Sequence, residues 1–294
     1  MRIKLRRCLS ALLLWGMILS LCGGAALAEE TQDAPPEFWD VRVYVDGLLS
    51  GRALGSYDAL WLAPEDFCAL LGRECTTWWD EERGELTVSA GDFVLHARRG
   101  EDYFSVNSRY FYEPLGFFVY DGRAWFPQAD IERMFGTPMR LSSDGRRVDL
   151  RSETLSVLPG GAAWYYDNFG SAEIFWLARI IHSEAGNQPL AGRIGVGSVV
   201  LNRVESELYP DEVFGVVFDD KFAVQFTPAE SGAVYQEPDE TDVIAACLCL
   251  EGYNTVGESM YFVNPDMADD SWFRNTKDFV VRIGDHDFYK LKEG

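Results

Sequence analysis

The chain has 294 residues, 47% of them apolar, with 47 acidic against 26 basic side chains and a formal net charge of −21. That length and apolar share suffice for two ordinary globular cores. The acidic excess argues against nucleic acid or bare anionic lipid as a partner.

Residues 1–28 read as a secretory signal peptide. Arg2, Lys4, Arg6 and Arg7 precede an apolar run from Leu9 to Leu21, and Ala26-Leu27-Ala28 supplies small residues for cleavage. The run is short for a membrane span. An exported, extracytoplasmic protein is therefore expected. Its removal takes away four basic and no acidic residues, moving the net charge from −21 to −25, and leaves Cys68, Cys75, Cys247 and Cys249. Outside the cytoplasm Cys68 and Cys75 could pair.

After an acidic lead-in with Pro35-Pro36, Val41, Val43 and Val45 alternate with Arg42 and Tyr44 as a half-buried strand ending at Asp46-Gly47. A second strand is expected near Ala59 to Leu62. Pro64 then opens a helix carrying Phe67, Leu70 and Leu71, which Gly72 stops. Trp78-Trp79-Asp80 and Glu85 to Ser89 return to strand. The pattern then repeats. Val106-Asn107 answers Val45-Asp46, Ala124 to Pro127 answers the approach to Pro64, and Ile131, Met134, Phe135 and Gly136 each lie 64 positions after Phe67, Leu70, Leu71 and Gly72. A closing strand is expected at Arg147 to Leu150. Residues 38–152 are thus an internally duplicated α+β unit. In this order of strand, Pro-led helix, Gly and Trp-Asp, the unit resembles the N-terminal-like domain of copper amine oxidases. The resemblance implies no copper site, since His96 is the only histidine in the region.

Residues 153–168, with Pro159-Gly160-Gly161 and Trp164-Tyr165-Tyr166, read as a linker, and Ser171 as the N-cap of the next helix. In that helix Leu177, Ile180 and Ile181 mark one apolar stripe, and the next position on it is Glu184. Gly186 offers a left-handed C-cap, which puts Glu184 in the last turn, beside the negative end of the helix dipole. Burial and dipole both raise a carboxyl pKa, as a general acid requires. A second helix runs from Gly192 to Val204. Its Gly195, Ser198 and Asn202 would let the first helix approach, while Ile194, Val199, Val200 and Val204 face away. Cys247 and Cys249 fall in a buried helix, Val243 to Leu250, where packing is favoured over a metal or redox role. With His96, His182 and His286 far apart, no zinc spacing appears, and no metal or cofactor is expected.

Along residues 169–294, several separated motifs resemble the SleB-type cell wall hydrolases, the spore cortex-lytic enzyme family. They are Ser183-Glu184-Ala185-Gly186, the run Gly192 to Val204, Tyr209-Pro210, Val213 to Val217, Gln225-Phe226-Thr227-Pro228, Tyr261 to Pro265 and Ile283 to Tyr289. The resemblance implies a mainly helical, goose-lysozyme-like domain and lytic transglycosylase action on peptidoglycan glycan strands, with Glu184 as the acid. One carboxylic acid then suffices, whereas a two-carboxylate hydrolase would need a partner among Asp219, Asp220, Glu230 and Glu237. Gln225, Asn264 and His286 have side chains suited to sugar hydroxyls and N-acetyl groups. Phe226, Tyr235, Tyr261 and Phe262 could offer stacking faces. Each has a structural alternative: a turn or capping role for Gln225 and Asn264, a satisfied structural histidine for His286, and core packing for the rings. Arg179 or Arg203 could hold Glu184 as a plain buried ion pair, and Arg193 and Arg203 read as scaffold or surface charges. Two alternatives remain: a non-catalytic wall-binding or assembly protein, in which residues 38–152 contact the wall, and a peptidoglycan amidase or hydrolase.

Overall fold

The alternation at Val41, Val43 and Val45 becomes a strand with one buried face in the computed structural model, which describes residues 3–5, 38–57, 59–120, 122–221, 226–268 and 270–292. The chain divides into two compact units. The first takes in the described residues up to Asn107 together with Glu113–Pro159. Its strands are β1 (Ile3–Leu5), β2 (Trp39–Val45), β3 (Leu48–Gly55), β4 (Leu60–Leu62), β5 (Thr76–Asp80), β6 (Glu85–Ala90), β7 (Phe93–Arg98), β8 (Tyr103–Val106), β10 (Phe118–Tyr120), β11 (Arg123–Pro127), β12 (Arg140–Leu141) and β13 (Arg147–Leu150). Two short helices, α1 (Pro64–Leu70) and α2 (Gln128–Phe135), complete it.

One sheet of this unit runs β1-β5-β6-β7-β8 and the other β10-β11-β4-β3-β2-β13-β12, with β13 parallel to β2. The duplication extends to backbone geometry. Asp46 (φ 51°) and Gly47 (φ 80°) form the two-residue turn into β3, and Asn107 (φ 52°) and Ser108 (φ 66°) repeat its two positive φ values. β4 and β11, which lead into the two helices, pair antiparallel with Leu62 opposite Phe126. The ring of Phe67 stacks at 5.2 Å on that of Phe135, the residue that answers Leu71 in the repeat. Strand β3 was not expected. Its Leu48, Leu49 and Ser50 are exposed and Gly51 interrupts it, so it lacks a period-2 signature, and pairing with β2 makes it a strand. Of the segment read as a signal peptide, Ile3–Leu5 pairs with Thr77–Trp79, and residues 6–28 lie outside the described residues.

The second unit comprises Ser108–Tyr112 and Gly160–Gly294. Its elements are β9 (Arg109–Tyr112), α3 (Gly161–Ala185), α4 (Leu190–Val204), α5 (Val213–Val217), α6 (Thr227–Ser231), α7 (Glu240–Leu250), β14 (Tyr261–Val263), α8 (Ser271–Thr276), β15 (Lys277–Ile283) and β16 (His286–Leu291). The sheet order is β14-β16-β15, antiparallel throughout. The chain is therefore a mixed α+β protein. The linker expected over residues 153–168 is corrected in its second half: α3 already begins at Gly161, and its helical path breaks at Gly170 (φ 72°, ψ 170°) before continuing through Glu184. The early turns are held by β9, where Arg109 makes two bonds of 2.8 and 2.6 Å to Glu251 and lies 3.7 Å from the Trp164 ring. Among the described residues no helix is long and apolar enough to cross a membrane.

Helices α3, α4 and α7 pack through apolar stripes. Leu177, Ile180 and Ile181 from α3, Val196, Val199 and Val200 from α4, and Ile244, Ala245 and Leu248 from α7 are all buried. The close approach is made at Gly197, not Gly195. A Cβ on Gly197 would stand 2.9 Å from Ile181 Cδ1 and 2.6 Å from Cys249 Sγ, whereas Gly195 faces Phe288 and Val256. Cys247 and Cys249 are buried in α7, and Cys249 Sγ donates to the Ile194 carbonyl at 3.4 Å.

Candidate active site

The stripe of α3 ends in a carboxyl. Glu184 sits one turn beyond Ile180 and Ile181, in the final turn of the helix, and is partly buried. Burial lifts its pKa from 4.5 to about 7, against the opposing pull of Arg203. Gly186 does not take the left-handed cap its type suggested, since its φ of −60° and ψ of −19° are helical. The position needs glycine for space: a Cβ there would lie 2.6 Å from the His182 carbonyl oxygen and 3.3 Å from His182 Nδ1.

The stripe of α4 ends in the opposite charge. Arg203 follows Val196, Val199 and Val200 by seven, four and three residues, and is 4% exposed. Its Nε donates to the Met260 carbonyl at 2.9 Å, and its Nη1 is buried with no hydrogen-bond partner among the described residues. Three rings surround the guanidinium, with centroids at 5.0 Å (Phe226), 5.1 Å (Tyr209) and 5.9 Å (Tyr261). Burial holds its pKa below the ordinary arginine value, while Tyr209, Tyr261, Asp219 and Glu184 act in the other direction. Tyr209 donates to the Tyr261 hydroxyl at 3.5 Å, and burial pushes its own pKa up to about 12. Glu184 and Arg203, each in the last turn of a rigid helix and each desolvated by burial, thus act on one another through charge.

The connector between these helices is clamped by Arg193. Its Nε and Nη2 donate to the carbonyls of Gln188 (3.1 Å) and Gly186 (2.5 Å), and its Nη1 donates to Asp239 (2.8 Å) and fully buried Asp242 (2.6 Å). Asp239 and Asp242 also close a capping box on α7, and Asp242 Oδ2 lies 2.7 Å from His182 Nδ1. Gln188 ties the connector to the β15–β16 turn through Asp285, accepting from its amide at 2.9 Å and donating to its carboxylate at 3.0 Å. His182, Asp239 and Asp242 come close enough to suggest a cation site. The Arg193 guanidinium already supplies the positive charge between those carboxylates, so the cluster is a structural lock.

The geometry can be set beside known proteins. A cell wall hydrolase family model matches residues 187–289. A spore cortex-lytic enzyme of Bacillus subtilis (strain 168) is 33% identical over 131 residues, covering 45% of this chain and 39% of that protein. One from Halalkalibacterium halodurans is 33% identical over 145 residues, covering 49% and 41%. The catalytic domain of the germination-specific lytic transglycosylase SleB from Bacillus anthracis is 31% identical over 42% of this chain and 98% of its own, with a TM-score of 0.39. The similarity to cell wall hydrolases lies in the C-terminal unit, where the family model matches. The chain spans about two fifths of the length of these curated relatives. The matched cell wall hydrolase segment begins three residues after Glu184.

Within the C-terminal unit the residues expected to bind sugar separate into distinct groups. Tyr261 stands beside Arg203, half-buried. Phe226 is 2% exposed and packs under the Arg203 guanidinium, so it cannot stack on a sugar, and that expectation is corrected. His286 is corrected as well: it is 6% exposed, its ring lies 5.3 Å from Phe262, and burial lowers its pKa. It belongs to the core under the hairpin. Asn264 is a turn residue, its side-chain oxygen accepting from the Asp266 amide at 3.0 Å and its carbonyl from Met267 and Ala268. Gln225 lies outside the described residues. Of the two arginines weighed as partners for a buried Glu184, Arg203 is the one whose charge acts on it, so scaffold or surface charge is not its whole role. The signal was present, because a charged residue at i+7 of an apolar stripe is the same anomaly that singled out Glu184. Arg179 does not hold Glu184; it pairs with Glu237 at 2.7 Å.

Proposed function

We propose that this protein is a peptidoglycan-cleaving lytic transglycosylase that breaks the bond between N-acetylmuramic acid and N-acetylglucosamine, with Glu184 as its single acid/base. The observation that carries the reading is a carboxyl on a core-facing helical stripe with its pKa raised to about 7, where one group can both give and take a proton near neutrality. The names of the relatives, spore cortex-lytic enzyme and germination-specific lytic transglycosylase, support it. In this reading the C-terminal domain is lysozyme-like.

Protonated Glu184 gives its proton to the glycosidic oxygen as the bond to muramoyl C1 breaks, and C1 becomes oxocarbenium-like. The resulting carboxylate, stabilised by the nearby Arg203 charge, draws the proton from the C6 hydroxyl. The C6 oxygen then closes onto C1 as an anhydro ring, and Glu184 is protonated again. No water enters the step and no second catalytic carboxylate is required.

Residues 1–28 serve as an export signal, and residues 38–152 as a duplicated module resembling the copper amine oxidase N-terminal-like domain that contacts the wall or spaces the enzyme from it. The role is wall remodelling or spore cortex lysis. Digestion of peptidoglycan by the purified full chain, read by mass spectrometry, tests the proposal. Anhydro-muramic ends support it, reducing muramic ends convert it to hydrolysis, and new free amines point to an amidase. Wall retention without any release of fragments would replace it with the non-catalytic binding reading.

A further inference from the structure

The face of α3 two turns before Glu184 carries an aromatic group that the acid site does not use. Trp176 lies at the centre of it, with ring centroids 4.9 Å from Phe175, 5.2 Å from Phe218, 5.4 Å from Phe214 and 6.0 Å from Tyr235. Phe175, Phe214 and Tyr235 are 44%, 46% and 62% exposed. Exposed singly, such rings need no explanation, but five touching rings from three elements form a patch. The patch is held in place. Ser183, next to Glu184 in sequence, donates to the Ala233 carbonyl at 3.3 Å, which fixes the short turn carrying Tyr235 against α3.

The patch adjoins the acid site, since Ser183, bonded to the turn that carries Tyr235, is the residue before Glu184. Phe218 belongs to it, and the next residue, Asp219, acts on Arg203 together with Glu184. Along α3 the eight residues from Trp176 to Glu184 span about 12 Å. At the edge of the rings, Arg179 lies 3.7 Å from the Phe175 ring and bonds Glu237, whose side chain is 84% exposed. Ring faces flanked by an exposed carboxylate and a guanidinium match a pyranose chain, which presents flat C–H faces and equatorial hydroxyl and N-acetyl groups together. An anionic stem peptide is a poorer fit on a chain of net charge −21.

We propose that Tyr235, Phe214 and Trp176 form a glycan-binding platform that holds the polysaccharide strand beyond the bond being cut and fixes its register over Glu184. This rests on the function proposed above, since it assigns the same substrate to a neighbouring surface. The platform explains why an enzyme with one catalytic acid can grip a long insoluble strand: stacking along α3 carries binding, while the acid site carries chemistry.

The test uses the full chain carrying Glu184→Gln, so that binding is measured without cleavage, and its retention on insoluble peptidoglycan in a pelleting assay. Adding Tyr235→Leu and Phe214→Leu should weaken retention roughly tenfold, while Tyr235→Phe, which keeps the ring face, should leave it intact. In the cleaving background the Leu pair should raise KM several-fold and leave kcat nearly unchanged. Equal retention by the Leu and Phe variants, or a loss confined to kcat, would overturn the platform. So would a change in sedimentation mass without a change in retention, which would make the face a contact between copies. If the Glu184→Gln chain still cleaves, the single-acid reading fails, yet the retention comparison still decides the platform.

Discussion

Replacing Glu184 by Gln should do more than stop the reaction: it should change how stability depends on pH. In the unfolded chain the carboxyl ionises near 4.5, and in the folded site near 7. Below 4.5 both states are protonated and the buried carboxyl carries no extra penalty. As pH rises from 4.5 through 7, the unfolded chain gains a solvated carboxylate that the folded site disfavours, so stability falls across that window and then levels off. At 1.36 kcal/mol per pKa unit the full difference is about 3 kcal/mol, and solvent reaching the partly exposed carboxyl reduces it to about 1–3 kcal/mol. The glutamine side chain does not titrate and escapes the penalty. Urea unfolding of wild type and variant at pH 4 and pH 8 reads the effect: the variant's relative stability should rise by that amount between the two pH values. A stability difference that stays the same at both would refute a desolvated acid at this position, whatever happened to activity.

Three further outcomes follow from the same geometry. Because the acid must be protonated to act, kcat/KM should fall on the alkaline side with an apparent pKa near 7; Arg203→Met, which removes the charge that lowers the Glu184 pKa, should move that limb to higher pH, and Arg203→Lys should restore it. Arg193→Met leaves fully buried Asp242 without its 2.6 Å partner and should cost about 3–5 kcal/mol in chemical denaturation, whereas Glu237→Gln at the exposed end of the Arg179 pair should cost under about 1 kcal/mol. Gly197→Ala should lower stability by about 1–3 kcal/mol, since its Cβ would meet both Ile181 and Cys249.

What the sequence revealed depended on how local the cause was. The Val41-Val43-Val45 strand, the Pro64 helix and its repeat at Ile131 to Gly136 rest on periodicity and on turn residues, and each formed where its pattern stands. Glu184 was visible for the same reason, as a charge on an apolar stripe. Strand β3 was invisible because its existence depends on pairing with β2, and the helical start at Gly161 because Gly160-Gly161 reads as a break until β9 packs on it. Gly186 was chosen for space around His182, which no local propensity encodes. Polar residue type proved a weak guide to sugar contacts. Asn264 serves a turn and His286 a core, whereas of the two arginines considered as partners of Glu184 it is Arg203, not Arg179, whose charge reaches it. Its position at i+7 of an apolar stripe, the same pattern that singled out Glu184, is the signal that separates it from Arg179.

The central claim is that Glu184 alone moves both protons and that no water enters the bond-breaking step. Digestion of peptidoglycan in water enriched in the heavy oxygen isotope, followed by mass spectrometry of the released muropeptides, measures this directly. The account expects anhydro-muramic ends free of heavy oxygen, formed by wild type and absent with Glu184→Gln. Muramic ends that each carry one heavy oxygen atom would show that water is the nucleophile and would contradict it.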